Sequence, residues 1–209
     1  MRQAKIFILV FCVIFTLLLS GCLSLANTPN PRFYMLRSIN KAEVSQQFNI
    51  ASDTIIVVGP IKVPEYQDRP QIVTQDKDKM LNFAQFDRWG RPLDLGVAQV
   101  IADGLTAMLP GATIDVFPIH FNIPVKYQVL IDVIKLESEL DKEMLFTVQW
   151  SIINLEHKKM LITKRSEFTQ AINPHNYAGL AEALSTACTS LSSEIAKEFS
   201  VLLNQEKIP

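Results

Sequence analysis

Hydrophobic and polar residues alternate along three long segments in the second half of the chain, as they do in β-strands with one buried face. The segments are Tyr127–Leu140, Met144–Ile152 and Met160–Phe168, and short polar turns at 140–142 and 156–158 separate them. Because alternating strands joined by short turns are typical of hairpins, these segments are predicted to form an antiparallel meander.

A helix is predicted where apolar residues recur at intervals of three and four after Pro92. The fixed φ of Pro92 suits a helix start, and Pro110-Gly111 ends the pattern. Gly96 and Gly104 lie beside the apolar stripe, where their small size would permit close packing on a sheet.

A second, longer helix is predicted after Asn173-Pro174, which would cap it. One side of this helix carries an apolar stripe that includes Cys188. The other side is rich in hydroxyl residues, which predicts a solvated face or, as the alternative, a partner surface. These residues are Ser185, Thr186, Thr189, Ser190, Ser192 and Ser193.

The first half of the chain contains shorter strand candidates. The β-branched run Asp53–Val63 is interrupted by Gly59-Pro60, which predicts a bulge or an edge position, and a loop follows from Pro64 to Pro70. The other strand candidates are Phe33–Arg37, Gln71–Gln75, Met80–Asp87 and Thr113–Phe117. The predicted fold is α+β, a mostly antiparallel sheet with two helices packed on one face, in a single domain over residues 33–209.

The N-terminus has the order of a secretory signal. Arg2 and Lys5 precede an apolar run of 14 residues at positions 6–19. A membrane-spanning helix needs about 20 apolar residues, so a cleavable signal peptide is predicted over residues 1–21.

The sequence Leu19-Ser20-Gly21-Cys22 resembles the lipobox of bacterial lipoproteins. This resemblance implies that Cys22 is the lipid attachment site and that the attached lipid is the only added group, with no other cofactor. Residues 22–32 then form a lipidated tether. Leu23, in the place where Asp would retain the protein in the inner membrane, favours the outer membrane. The alternative is an ordinary signal peptide with a chance cysteine after it.

Charge and cysteine content restrict the function further. Without Arg2 and Lys5, 18 basic residues stand against 21 acidic ones, a net charge of −3, so no nucleic-acid partner is expected. With Cys12 in the signal and Cys22 lipidated, Cys188 has no intramolecular disulfide partner and is predicted to be a buried apolar residue.

Catalytic and metal-binding patterns are not found in the sequence. His120, His157 and His175 do not stand at ligand spacing with one another or with cysteine. No Gly-rich phosphate loop or Gly-x-Ser-x-Gly motif occurs. The aspartates considered as paired carboxylates lie in a polar turn and at a helix start, where aspartate is common for structural reasons; they are Asp76, Asp78, Asp87 and Asp94. The protein is therefore predicted to have no catalytic site and no metal.

Two longer segments carry a family resemblance. Val58–Val73 is VGPIKVPEYQDRPQIV and Phe86–Leu93 is FDRWGRPL. With the Phe33–Leu36 strand soon after the lipobox, they resemble the PqiC-like auxiliary lipoproteins of ABC-type transporters over nearly the whole mature chain. Gln67 stands where that family more often has an apolar residue, and Gly90-Arg91 replaces a commoner Ala-Glu.

The resemblance implies a non-enzymatic outer-membrane lipoprotein that faces the periplasm. It would dock the envelope-spanning MCE-domain protein of an intermembrane lipid transport system and support membrane integrity. A periplasmic lipid-binding chaperone and a lipoprotein regulator of a cell-wall enzyme are the two alternative functions. The lipid cargo, the direction of transport and assembly into a homo-oligomer stay open.

The predicted partner-binding residues are Tyr66, Arg69, Pro70, Arg88 and Trp89. Prolines preorganise a loop and so reduce the entropy lost on binding. Tyrosine, tryptophan and arginine are enriched in interface hot spots. The alternative is that Trp89 belongs to the core while Tyr66 and Arg69 close the edge of the sheet.

Overall fold

The computed structural model describes residues 3, 29–39, 44, 46–50, 54–119 and 124–205. The chain divides into two compact units, Met1–Asn30 and Pro31–Pro209. The predicted signal peptide (apart from Gln3), Cys22 and most of the tether lie outside the described residues. The sheets, the core and the candidate site all belong to the unit Pro31–Pro209.

Eight strands and two helices are formed by the described part of this unit. The strands are β1 (Arg32–Tyr34), β2 (Ile55–Lys62), β3 (Gln71–Gln75), β4 (Leu81–Trp89), β5 (Thr113–Val116), β6 (Tyr127–Ser138), β7 (Glu143–Asn154) and β8 (Lys159–Ala171). The helices are α1 (Leu93–Met108) and α2 (Tyr177–Gln205). The predicted α+β class is confirmed, and every strand or helix predicted over this unit is present with small shifts of its ends.

The strands form two sheets instead of the one predicted. The larger sheet has the order β5-β2-β6-β7-β8, and the smaller has the order β1-β4-β3. The antiparallel meander β6-β7-β8 is confirmed. However, β2 is parallel to both β5 and β6, and β1 is parallel to β4. Both sheets are therefore mixed, and each parallel pair is joined by a long crossover of the chain, which for β2 and β5 includes helix α1.

The bulge predicted at Gly59-Pro60 is confirmed. The register between β2 and β6 shifts between Val58 and Ile61, and the Gly59 carbonyl accepts a hydrogen bond from Gln128 Nε2 at 2.8 Å. The alternative of an edge position is wrong, since β2 pairs with strands on both sides.

The core lies between the larger sheet and the two helices. Helix α1 packs on β2 and β5, helix α2 packs on β7 and β8, and the helices contact each other. Tyr127, Phe146 and Trp150 from the sheet are fully buried with Phe199 of α2. Each such side chain stabilises the fold by about 1.5–3 kcal/mol through its removal from water.

Cys188 lies inside this core, as predicted. Its side chain has no exposed surface, and burial raises the pKa of its thiol to about 12. The thiol is therefore protonated at neutral pH, and the residue packs as a small apolar side chain.

The start and the polar face of α2 differ from the prediction. The helix begins at Tyr177, and Asn176 accepts a hydrogen bond from the Gly179 amide at 3.0 Å, so Asn176 is the cap and not Asn173-Pro174. Ser185 and Ser192 are buried, although their face was predicted to be solvated. Each hydroxyl donates a hydrogen bond to the backbone carbonyl one turn earlier in the helix, so burying it costs little free energy.

Gly104 permits close packing, but against a helix and not against a sheet. A Cβ built on Gly104 would lie 2.7 Å from the Cβ of Ser192 in α2. Gly96 has more room, since the nearest atom to its built Cβ is Leu36 Cδ1 at 3.6 Å. The two glycines of α1 therefore have different structural roles.

Gly104→Ala is expected to lower the free energy of unfolding by about 1–3 kcal/mol, because the added methyl group overpacks the contact between the helices. Gly96→Ala is the matched control and should leave stability unchanged or raise it by up to about 1 kcal/mol, since alanine favours helix over glycine. Urea unfolding of both variants measures the difference. Equal effects of the two substitutions would contradict this account of the helix contact.

Candidate partner-binding site

The loop between β2 and β3 is fixed to the larger sheet by Gln67. This side chain is 2% exposed, and its Nε2 donates a hydrogen bond to the Leu136 carbonyl of β6 at 2.9 Å. The Pro64 carbonyl accepts hydrogen bonds from the amides of Gln67 and Asp68 at 2.8 and 3.2 Å. A buried amide with a partner is well tolerated, which explains a polar residue where the resembling family more often has an apolar one.

The three segments that carry the resemblance meet at one place. The Trp89 amide donates a hydrogen bond to the Pro70 carbonyl, and the Gly90 amide donates one to the Tyr34 carbonyl, both at 2.8 Å. Gln71 also lies opposite Arg88 in the pairing of β3 with β4. The loop, the end of β4 and β1 are therefore joined through their backbones.

A groove of about 340 Å³ runs along this junction. It is lined by Asp68, Arg69, Pro70, Trp89, Gly90, Arg91, Pro92 and Leu93. Arg69 and Arg91 are exposed cations on its rim, whereas Trp89 and Leu93 are buried and form its floor. The structure thus brings together Arg69, Pro70 and Trp89 of the predicted partner-binding residues.

Tyr66 does not line this groove but an adjoining cavity of about 490 Å³ between the loop and β6. Tyr66 is half-buried. Burial raises the pKa of its hydroxyl, and a hydrogen bond with the Leu136 backbone opposes that rise. Tyr66 is therefore held in place while part of its ring stays accessible.

Arg69 is exposed and ordered by an aromatic contact. Its guanidinium carbon lies 4.5 Å from the centroid of the Phe83 ring in β4, a geometry favourable for a cation–π interaction. Because Arg69 remains exposed, an edge of its guanidinium stays accessible to the surroundings. Such an edge can bind a carboxylate with two parallel hydrogen bonds.

Trp89 is a core residue. Its side chain is 6% exposed and packs in the same apolar cluster as Leu93. The Nε1 of Trp89 and the Nε of Arg88 are buried and have no hydrogen-bond partner among the described residues. Neither N–H is accessible in this conformation, so neither is able to donate a hydrogen bond to a partner.

The comparison with known families decides the membership of the chain. Residues 34–196 match the family described as the ABC-type transport auxiliary lipoprotein component. The chain belongs to this family. The resemblance found in the sequence is thereby confirmed, and the matched range includes the loop, the groove and both helices up to Ala196.

Solved structures show the fold of this auxiliary lipoprotein in other chains. The crystal structure of an uncharacterized protein has a TM-score of 0.66 and 16% identity, and the match covers 82% of this chain and 99% of that one. A protein from Xanthomonas campestris has a TM-score of 0.64 and 12% identity, with 85% and 100% covered. At these identities the likeness shows the fold alone. No curated protein matches.

Two findings on the described residues bear on the type of protein. No helix among them is long and apolar enough to cross a membrane. Within the same residues, no group of three or more histidines, cysteines or carboxylates could hold a metal ion.

Asp87 has a role in this auxiliary lipoprotein that the sequence did not indicate. Arg32 donates hydrogen bonds to both carboxylate oxygens of Asp87, at 2.7 and 2.9 Å, and the Tyr34 hydroxyl donates a third at 2.8 Å. Burial raises the pKa of Asp87, but these hydrogen bonds and the charge of Arg32 together hold it below its usual value. Asp87 therefore fastens β1 to β4, and it is not paired with Asp76, Asp78 or Asp94.

Asp87→Asn is expected to lower the free energy of unfolding at pH 7 by about 1–2 kcal/mol, because Arg32 and Tyr34 lose a charged hydrogen-bond acceptor. The loss is no larger because solvent screens part of the charge of the exposed Arg32. The folded-state pKa of Asp87 is lowered, so this stabilisation is present above the unfolded pKa of about 4 and is lost as the pH falls through the folded value. Urea unfolding of both chains across this range tests it. A difference that stays constant from pH 7 to about pH 2 would contradict the ion pair's role.

Proposed function

We propose that this auxiliary lipoprotein is held in the outer membrane by a lipid on Cys22 and faces the periplasm. There it docks the envelope-spanning MCE-domain protein of an intermembrane lipid transport system and so supports membrane integrity. Membership of the family supplies the broader role, an auxiliary component of ABC-type transport. The observation that carries the proposal is that two of the three resembling segments line a single groove, while the third is hydrogen-bonded to Gly90 in that groove.

The site acts by contact and not by catalysis. Its loop is already fixed by the hydrogen bond from Gln67 to Leu136, so little backbone entropy is lost when a partner binds. The exposed Arg69 and the half-buried Tyr66 are of the types that dominate interface energies. With Arg91 on the rim, the groove suits a partner segment that places a carboxylate beside an apolar side chain.

Tyr66→Ala and Arg69→Ala are each expected to weaken binding of the MCE-domain protein by about 1–3 kcal/mol, roughly tenfold to a hundredfold in Kd. Isothermal titration calorimetry with the purified partner measures the loss. Arg165→Ala is the matched control, because Arg165 is an exposed arginine on β8, an edge strand of the larger sheet, and no residue of β8 lines the groove. Unchanged affinity in both test variants, with the fold intact, would place the contact surface elsewhere.

The two alternative functions make different predictions in the same preparation. A lipid-binding chaperone would carry lipid with it on purification, in addition to the lipid on Cys22. The cavity beside Tyr66 is a poor place for an acyl chain, because Lys79, Lys135 and Glu137 line it. A regulator of a cell-wall enzyme would bind a peptidoglycan synthase in place of the MCE-domain protein.

A further inference from the structure

Exposed apolar side chains are concentrated at the hairpin that joins β3 to β4. Met80, Leu81 and Phe83 are 63%, 45% and 43% exposed, and these three residues are called the hairpin patch. The turn beneath them is closed, since the Asp76 amide donates to the Met80 carbonyl and the Met80 amide donates to Asp76 Oδ1, both at 3.0 Å. A fixed turn therefore presents three apolar side chains to the surroundings, which is the usual mark of an interaction surface.

The direction of β1 relates this patch to the tether. Strand β1 is parallel to β4, with Arg32 opposite Asp87 and Tyr34 opposite Trp89. The N-terminal end of β1 therefore points toward the end of β4 that carries Leu81 and Phe83. The chain from Cys22 to Arg32 contains ten residues before β1 and spans at most ~33 Å. An anchor on Cys22 would thus hold the N-terminal end of β1 within that distance of the bilayer.

The charges around the patch indicate which kind of surface it meets. The turn contains Asp76 and Asp78 together with Lys77 and Lys79, so its formal charge is zero. Both lysines also lie in ion pairs, Lys77 with Asp141 and Lys79 with Glu139, so the turn offers an acidic protein surface no uncompensated positive charge. The apolar side chains with balanced charges beside them instead suit the boundary between lipid headgroups and acyl chains.

We propose that the hairpin patch seats the domain on the bilayer that holds its anchor, with Met80, Leu81 and Phe83 entering the boundary between headgroups and acyl chains. This inference rests on the lipid attachment at Cys22 that forms part of the proposed function. Because Arg69 lies over the Phe83 ring, the groove for the partner then stands directly beside the membrane surface.

The test compares two exposed methionines in the full lipidated chain. Met80→Cys and Met160→Cys each receive a polarity-sensitive fluorophore, since the thiol of Cys22 is acylated and Cys188 is buried. Met160 is 58% exposed, close to the 63% of Met80. Met160 lies near one end of β6, because it pairs with Ile153 and Ile153 pairs with Gln128. The hairpin with Met80 lies near the other end of β6, because Lys79 contacts Glu137. Glu137 follows Gln128 by nine residues along β6, which corresponds to a separation of roughly 30 Å.

Each protein is reconstituted into phosphatidylcholine vesicles with and without doxyl-labelled lipid. The fluorophore at position 80 should be quenched by the doxyl lipid and emit at shorter wavelength, while the one at position 160 should show neither change. Adding Leu81→Ser and Phe83→Ser to the Met80→Cys chain should abolish the quenching. Quenching that persists in that chain would overturn the inference.

The mass of each purified chain separates the inference from the proposal on which it rests. A chain without lipid on Cys22 would overturn both. A lipidated chain with no quenching at position 80, or with equal quenching at positions 80 and 160, would overturn the seating of the hairpin patch and leave the partner groove unaffected.

Discussion

Cys22→Ser is expected to abolish lipid attachment entirely and to leave the precursor uncut. In the lipobox that Leu19–Cys22 resembles, the thiol takes the lipid, and cleavage follows acylation. Each buried CH₂ contributes about 0.8 kcal/mol to membrane binding, and stable anchoring needs two or more acyl chains. Losing the thiol therefore removes the whole anchor. Metabolic labelling with radioactive fatty acid and the mass of the purified chain measure this loss.

Cys12→Ser is the matched control for that experiment. Cys12 lies in the apolar run of the predicted signal peptide, so this variant should be labelled, cut before Cys22 and retained on membranes like the original chain. Normal labelling and processing of the Cys22→Ser chain would show that residues 1–21 are not a lipoprotein signal.

Trp89→Ala is expected to lower the free energy of unfolding by about 3–5 kcal/mol, because a large core side chain is removed and a cavity is left. Trp89 is 6% exposed and packs in the main apolar cluster. Since natural domains are stable by only about 5–15 kcal/mol, this loss should depress the melting temperature strongly. Thermal unfolding followed by circular dichroism measures it.

Tyr66→Ala and Arg69→Ala provide the comparison for Trp89→Ala. Their side chains are half-buried and exposed, so their melting temperatures should move little. A Trp89→Ala chain that keeps its melting temperature but loses its partner would assign Trp89 to the interface. A chain that unfolds early supports the core assignment instead.

Strand and helix positions could be predicted because periodicity records which side of a segment is buried. Alternation in β7 and the three-four spacing in α1 are both local patterns. The neighbours of a strand are not recorded in this way. Strand β2 has the same β-branched composition whether its neighbours are parallel or antiparallel, and so the mixed sheets were not foreseen. Asn173 and Asn176 are equally suitable caps by composition, and only the backbone geometry selects Asn176.

The candidate site was predicted in part because its segments resemble a family. Resemblance placed Arg69, Pro70 and Trp89 in one site, and the groove brings them together. It did not distinguish a tryptophan in the core from one in an interface, because aromatic residues are enriched in both environments. The ion pair of Arg32 with Asp87 joins residues 55 positions apart, and neither residue's neighbours in the sequence indicate the other.

The attachment of β1 has a mechanical consequence. Strand β1 has three residues and, among the described strands, pairs only with β4, so tension applied through the N-terminal segment reaches the small sheet before the large one. Parallel pairing orients this pull along the strand, which loads the backbone hydrogen bonds and the Arg32–Asp87 contact together in shear. Detachment of β1 would consequently precede any disruption of β6, β7 and β8, and the domain could yield at its attachment point while its core stays folded.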